Sequence, residues 1–266
     1  MLVRRVNNEE SRKDINELYR VMTLEQFLNM FLYEQNTLLH PDCWEDPFEK
    51  MLMKSKINRH SKDKVKVNKL NWARWYGQCW SSVKESDGIW RSFTHNKEIR
   101  CVKIKTTRDK LEKCCSLCSD DNTEFYIDEI TYAEDKNEKY NEALNYVFSH
   151  YLDVSKSVPE EQYQRIAELS LLLTKRVAFK HENEVRLLAY RHDGTEKQRA
   201  WSYRINVDSL IDEIEFDPWA PNYSAETYRK LMDRLGVKAQ VKFSELYKDV
   251  DKRKKGYIFV MKTKKM

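Results

Sequence analysis

Leu18-Tyr19-Arg20-Val21-Met22-Thr23-Leu24-Glu25-Gln26-Phe27-Leu28-Asn29-Met30-Phe31-Leu32 is the stretch that decides the fold. Leu18 to Val21 reads as a short strand. Thr23 followed three residues later by Gln26 is a capping-box pattern, in which each side chain takes up an amide of the other residue and a helix begins. Leu24, Phe27, Leu28, Phe31 and Leu32 then recur at helical spacing and mark that helix's buried face. Thr37 to Leu39 reads as a second strand. The expected unit is strand–helix–strand, with Phe27, Leu28 and Phe31 inside.

Working outward, Pro41 and Pro47 bracket an irregular loop from His40 to Glu49. Lys54 to Lys69 carries Lys54, Lys56, Arg59, Lys62, Lys64, Lys66 and Lys69 against one acid, Asp63, and reads as a basic loop. Strands are expected at Gln78–Ser82, Arg100–Ile104, Glu124–Tyr132, Val177–Phe179, Glu184–Tyr190, Trp201–Val207 and Val237–Phe243. Gly88–Phe93 reads as a short helix or turn. Asn137–Asp153, Glu160–Leu173 and Ser224–Leu235 read as helices, the last stopped by Gly236. Helices interrupt strands irregularly, unlike a doubly wound fold. The expected class is α+β, a mainly antiparallel sheet with flanking helices. No repeat or linker divides the chain, so residues 1–266 are read as a single domain. A flexible lead over 1–16, the basic loop over 54–70 and a basic tail over 252–266 are expected within it.

Composition narrows the class further. Of 266 residues, 41% are apolar and 12% aromatic, enough to bury a core, where a disordered chain would be poorer in both. The 48 basic and 43 acidic residues leave a net charge of +5, so any attraction to polyanions must come from local clustering. Cys114, Cys115 and Cys118 have no second Cys or His pair at ligand spacing, and the six cysteines are read as reduced thiols with no metal site. Five glycines form no phosphate loop and no dinucleotide fingerprint. Any nucleotide would be held by side chains. No apolar run reaches membrane-spanning length, and Met1 to Glu17 lacks the apolar core of a signal peptide. A cytoplasmic protein without membrane contact is expected.

Four constellations carry candidate chemistry. Tyr19-Arg20 offers either an arginine paired with a surface acid or a fork for a phosphate. Asp46-Pro47-Phe48-Glu49, after Trp44, reads first as a turn. Cys79-Trp80-Ser81-Ser82, with Trp90 after it, offers either core tryptophans or a seat for a flat ring. His181-Glu182-Asn183-Glu184-Val185-Arg186 would put Glu182, Glu184 and Arg186 on one strand face, as a solvated surface or as a site. Arg186 is also in position to neutralise Glu184.

An arginine on a first strand, a serine on a middle strand and Glu-x-Glu on a later strand resemble the Arg–Ser–Glu pattern of ADP-ribosyltransferases. The chain is also similar, over nearly its whole length, to a large bacterial family known as domain of unknown function 2971. The pieces that carry this are Leu18-Tyr19-Arg20, Asp46-Pro47-Phe48-Glu49, Cys79-Trp80-Ser81, Ile89-Trp90, Glu182-x-Glu184-x-Arg186 and Ile211-Asp212-Glu213-Ile214. The chain departs from the transferase pattern in three places: Cys-Trp-Ser-Ser replaces Ser-Thr-Ser, Val21 replaces a small residue, and the glutamate pair sits in a Glu-x-Glu-x-Arg frame whose Arg186 can neutralise Glu184. The resemblance implies an ADP-ribosyltransferase-like fold, NAD as substrate, and a toxin or anti-phage defence effector with an antitoxin or regulatory protein as partner. It implies Glu184 and Glu182 as catalytic residues and Tyr19, Arg20, Ser81 and Trp90 as the NAD contacts. Lys62, Lys64 and Lys66, leading into Trp72 and Trp75, suit a single-stranded RNA or DNA acceptor, through phosphate attraction and base stacking. Two alternatives stay open: a nucleotide- or partner-binding module without turnover, and a nuclease using Asp46, Glu49 and Glu182 with magnesium.

Overall fold

The computed structural model describes residues 16–54, 56–61, 64–95, 98–118, 122–152, 158–194 and 198–247. In it, β1 (Glu17–Thr23) runs directly into α1 (Leu24–Leu32). The capping box closes as the sequence predicts. The Gln26 amide donates to the Thr23 hydroxyl at 3.1 Å, and the Thr23 amide donates to the Gln26 side chain at 3.1 Å. Phe27 and Met30 are buried, and Leu24, Leu28 and Phe31 pack partly buried on the same core. Leu32 departs from the expectation and is 60% exposed. The helix ends there, and Glu34, at φ 48°, turns the chain outward into β2 (Gln35–Leu39).

Beyond β2, the expected loop from His40 to Glu49 is partly helical. A 3₁₀ turn spans Pro41–Cys43, and α2 (Pro47–Leu52) starts on an Asp46 cap with proline at its first position. The basic segment expected to be a loop instead forms β3 (Lys56–Ser61) and β4 (Lys64–Lys69), paired antiparallel. The valines of β4 alternate with lysines, a strand period that the charge count obscured. There follow β5 (Trp75–Ser81), α3 (Asp87–Phe93), β6 (Cys101–Thr107), α4 (Arg108–Cys118), β7 (Thr123–Glu129), β8 (Thr131–Ala133), α5 (Asn137–Tyr151) and α6 (Glu160–Leu172). The remainder are β9 (Thr174–Arg176), β10 (Glu184–Arg191), β11 (Ala200–Arg204), α7 (Val207–Leu210), β12 (Glu213–Phe216), α8 (Asn222–Leu235) and β13 (Gln240–Phe243). Gly236 closes α8 at φ 74°, the left-handed stop expected of it. Val177–Phe179, expected as a strand, belongs to a 3₁₀ turn, Val177–Glu182. Helix α4 was not anticipated. It buries the Cys114 and Cys115 thiols, and the five cysteines whose side chains are described are free.

The class is α+β with a largely antiparallel sheet. Among the described residues nine strands join in it, and β12–β13 is its parallel pair. Strand β5 is the branch point. One edge pairs with β10 along its whole length, from Tyr190↔Trp75 to Glu184↔Ser81. The other edge meets β2 at Leu39↔Gly77 and β1 at Tyr19↔Ser81. Two half-sheets, β7-β10-β5-β2-β11 and β1-β6-β12-β13, therefore join at a single register pair. Gly77 has a specific reason to be glycine: an added Cβ would lie 2.5 Å from the Trp44 ring.

One sheet face carries Leu18, Met22, Trp80, Val185 and Leu187 into a core with α1, α4 and α8. The opposite face is divided. Near α5 and α6 it packs Trp75, Tyr126, Leu188 and Tyr190 with Val147 and Leu169. Near α3 it packs Val21, Trp90 and Cys101. Truncating a fully buried aromatic such as Trp90 to alanine costs about 3–5 kcal/mol, so α3 is anchored firmly.

Candidate active site

A cleft opens on the α3 side of the sheet, where the half-sheets meet. Tyr19, Arg20, Ser81, Trp90, Glu182 and Glu184 all border it. Strand register explains part of this convergence. Tyr19, Ser81 and Glu184 stand opposite one another across β1, β5 and β10, so their side chains leave one face in one row. Helix α3 supplies Trp90. Ser86 caps it by accepting from the Ile89 amide, and the Trp90 indole N–H donates to Glu85 at 2.7 Å. The Tyr19 hydroxyl donates to Glu17 at 2.6 Å, and burial pushes its pKa up. Lys103 lies beneath both rings, its ammonium 5.2 Å from the Trp90 centroid and 6.0 Å from that of Tyr19, and it pairs with Glu215 at 3.1 Å.

The Ser81 hydroxyl donates to the Glu182 carbonyl at 2.6 Å and accepts from the Val83 amide at 3.0 Å. It thereby ties the end of β5 to the turn before β10. Glu182 is the last residue of that turn, and Asn183 follows in the left-handed region at φ 42°. The expected strand alternation of Glu182, Glu184 and Arg186 therefore fails at Glu182, and the turn itself delivers that side chain. Glu184 and Arg186 do share a face, but not a solvated one. They are 3% and 1% exposed.

Five charges run through this wall in alternating sign. Arg186 grips Glu184 through Nε at 2.7 Å and Nη2 at 3.0 Å. It also reaches Glu49 at 3.0 Å and lies 4.2 Å from the Trp44 ring centroid. Lys175 reaches Glu184 at 3.0 Å and Glu182 at 2.6 Å. Burial alone would raise the Glu184 pKa, but the Arg186 and Lys175 charges overcome it and hold the group at about 2. Burial dominates at Glu182 and raises its pKa, with Lys175 opposing. The Cys79 thiol, beside Glu184, is pushed up by burial and is no ready nucleophile.

Arg20 sits where β1 and β5 part. By strand alternation it follows Leu18 and Met22, away from Tyr19. It borders the cleft and also a second cavity lined by Met30, Tyr33, Asn36 and Thr37. Burial lowers its pKa to about 10, so it stays charged at neutral pH. Among the described residues no carboxylate pairs with it.

The other sequence candidates do not gather here. Trp75 is fully buried, and its indole N–H donates to Glu168 at 2.8 Å, so it offers no ring to a base. Packing against α5 and α6 removes it from solvent. Trp72 is partly buried, and its N–H donates to the Met53 carbonyl at 2.7 Å. Lys62 lies outside the described residues, while Lys64 and Lys66 lie on β4. Asp46 pairs with Arg176 at 2.7 Å, so Asp46, Glu49 and Glu182 each hold a different cation. Among the described residues no three His, Cys, Asp or Glu side chains group as metal ligands, and no helix is long and apolar enough to cross a membrane. Sequence reading missed Lys175 and Lys103. Only the long-range placement of β9 and β6 brings them to the cleft.

No family model matches the chain, and no curated protein matches it. The family resemblance read from the sequence thus has no matching model behind it. Among solved structures, Thermus sp. 2.9 DarT in complex with NAD+ aligns over 88% of this chain and 98% of its own, at 8% identity and a TM-score of 0.37. The same protein in complex with ADP-ribosylated ssDNA gives 89% and 97% coverage, 8% identity and a TM-score of 0.39. Its complex with carba-NAD+ gives 88%, 98%, 10% and 0.38. Scores and identities this low establish neither a shared family nor a shared chemistry.

Proposed function

We propose that this chain is an ADP-ribosyltransferase-like enzyme that cleaves NAD and passes ADP-ribose to a macromolecule. One observation carries the reading: residues from β1, β5, α3 and the start of β10 border a single cleft in which a buried carboxylate is kept ionised. Breaking the nicotinamide–ribose bond sends its electron pair out with nicotinamide and leaves an oxocarbenium-like sugar. Glu184 is assigned to stabilise that charge. Glu49, Glu184 and Glu182 outnumber Arg186 and Lys175 by one, so the wall keeps one excess negative charge when all are ionised. In a dry, preorganised site this stabilisation is worth several kcal/mol.

Glu182 is assigned to take the proton from the acceptor as its oxygen or nitrogen bonds to the sugar, and its raised pKa suits that task. Arg20, without a described acid partner, is assigned to the pyrophosphate. Ser81 is assigned to the nicotinamide ribose, and Tyr19 or Trp90 to the nicotinamide ring. Single-stranded DNA or RNA is the proposed acceptor, on the strength of the lysines around β3 and β4. A role as toxin or defence effector, with an inhibitory protein partner, belongs to the same proposal.

A second reading is favoured by the Arg186 grip on Glu184: a cleft that binds the dinucleotide without turning it over. Incubation with NAD labelled in the ADP-ribose part, plus single-stranded DNA, RNA or cell protein, separates the two. Released nicotinamide with label on one acceptor supports the enzyme. Saturable NAD binding with no nicotinamide release supports the binding module and overturns the enzyme.

A further inference from the structure

The proposed reaction asks Glu182 and Glu184 to carry negative charge side by side. A single ammonium stands between them. Lys175 Nζ lies 2.6 Å from Glu182 and 3.0 Å from Glu184. Lys175 belongs to β9, set opposite Tyr132 by the parallel pairing of β8 and β9. Its side chain is buried and its ammonium lies 4.5 Å from the Phe179 ring centroid, so it cannot swing to water without moving the turn. Its two ion-pair partners among the described residues are these two carboxylates.

Arg186 cannot take its place. Nε and Nη2 donate to Glu184, and Nη1 donates to the Leu172 carbonyl and lies 3.0 Å from Glu49. The other titratable groups facing the pair are Cys79 from β5, Tyr132 from β8, and His181 one residue before Glu182, whose charge acts on Glu182 less than that of Lys175. Glu184 is buried and the Glu182 side chain is 31% exposed, and two carboxylates this close without an intervening cation tend to share a proton.

We infer that Lys175 is the positioning residue that keeps Glu182 and Glu184 apart as an ionised pair. The inference rests on the transferase reading for its kinetic readout only. Nicotinamide release is measured against pH in the unsubstituted chain and in K175M, K175R and K175M/E182Q. In K175M the acid-side midpoint of the rate is expected to rise by about 1–3 pH units. K175R restores the original midpoint. K175M/E182Q, which removes one carboxylate with the ammonium, returns the midpoint towards the original whatever its rate. An unchanged midpoint in K175M overturns the inference.

If K175M does not fold, the double variant decides. Its folding supports charge separation as the task of Lys175, and equal instability of both variants overturns it. If the unsubstituted protein releases no nicotinamide, the transferase reading falls, and carboxyl ¹³C titration of Glu182 and Glu184 in the same proteins still decides. A raised carboxyl pKa in K175M supports the inference, and an unshifted one overturns it.

Discussion

Two buried carboxylates flank the β5–β10 pair, one near each end, and they are treated in opposite ways. At the Tyr190 end, Glu168 accepts from the Trp75 indole at 2.8 Å, from Gln164 at 3.0 Å and from the Asn71 amide. These donors carry no formal charge, and burial raises its pKa. At the other end, Glu184 is equally buried but held by two cations, and its pKa falls to about 2. Burial alone does not decide ionisation. Between these two groups the formal charges within hydrogen-bond reach make the difference, because dipoles only partly replace the lost water. The same strand face thus changes from an aromatic packing surface to a charged wall over a few residues.

The largest expected effect comes from removing the cation that two acids share. Arg186→Leu strands Glu49 and leaves Glu184 with Lys175 alone, and it should lower unfolding free energy by about 3–5 kcal/mol. Urea denaturation measures it, and a loss near zero would break the comparison by showing that the pair is solvated. Glu184→Gln keeps shape while deleting charge. On the proposed reaction it should slow nicotinamide release by about 100-fold or more with NAD affinity nearly constant, since the role proposed for it is felt mainly in the transition state. Single-turnover kinetics with a binding titration tests this, and full activity would return Glu184 to a structural role. At the neutral end, Trp75→Phe keeps most of the ring but withdraws the N–H from Glu168. A loss of about 1–3 kcal/mol is expected in the same denaturation assay.

A further effect is a slope with pH, and its sign differs between the two ends. Glu184 titrates at about 2 when folded, against 4.5 as an ordinary carboxyl. Its contribution is complete above pH 4.5 and is lost as the pH falls towards 2. Glu168 titrates above 4.5 when folded. Its contribution is complete below pH 4.5 and is lost as the pH rises through the folded value. Glu184→Gln should therefore flatten the acid-side fall in urea midpoint, and Glu168→Gln should steepen it. Parallel curves for the two variants would show that the two carboxylates titrate alike.

What the sequence made legible was local. The Thr23–Gln26 box and the spacing of Leu24, Phe27 and Leu28 fixed α1, because each acts within one or two helical turns. The alternation of Val185, Leu187 and Ala189 fixed β10 and its core face. Arg186 could be named as a partner for Glu184 because the two stand two residues apart on one strand. Lys175 could not, since its place depends on the β8–β9 pairing and on the turn that reverses the chain at Asn183. The burial of Trp75 was hidden in the same way. A tryptophan after a lysine-rich stretch looks available until α6 is laid over it.

The single register pair between β1 and β5 has a mechanical consequence. Strand β1 is zipped to β6 over Glu17 to Thr23, and β5 to β10 over Trp75 to Ser81, so each half-sheet is a stiff blade. Between the blades the backbone contact is one rung, Tyr19↔Ser81. The width of the gap beside that rung is set by side chains beneath it, such as Leu18 and Trp80, and not by a ladder of amides. Substitutions there can widen or narrow the jaw in small steps while each blade keeps its register.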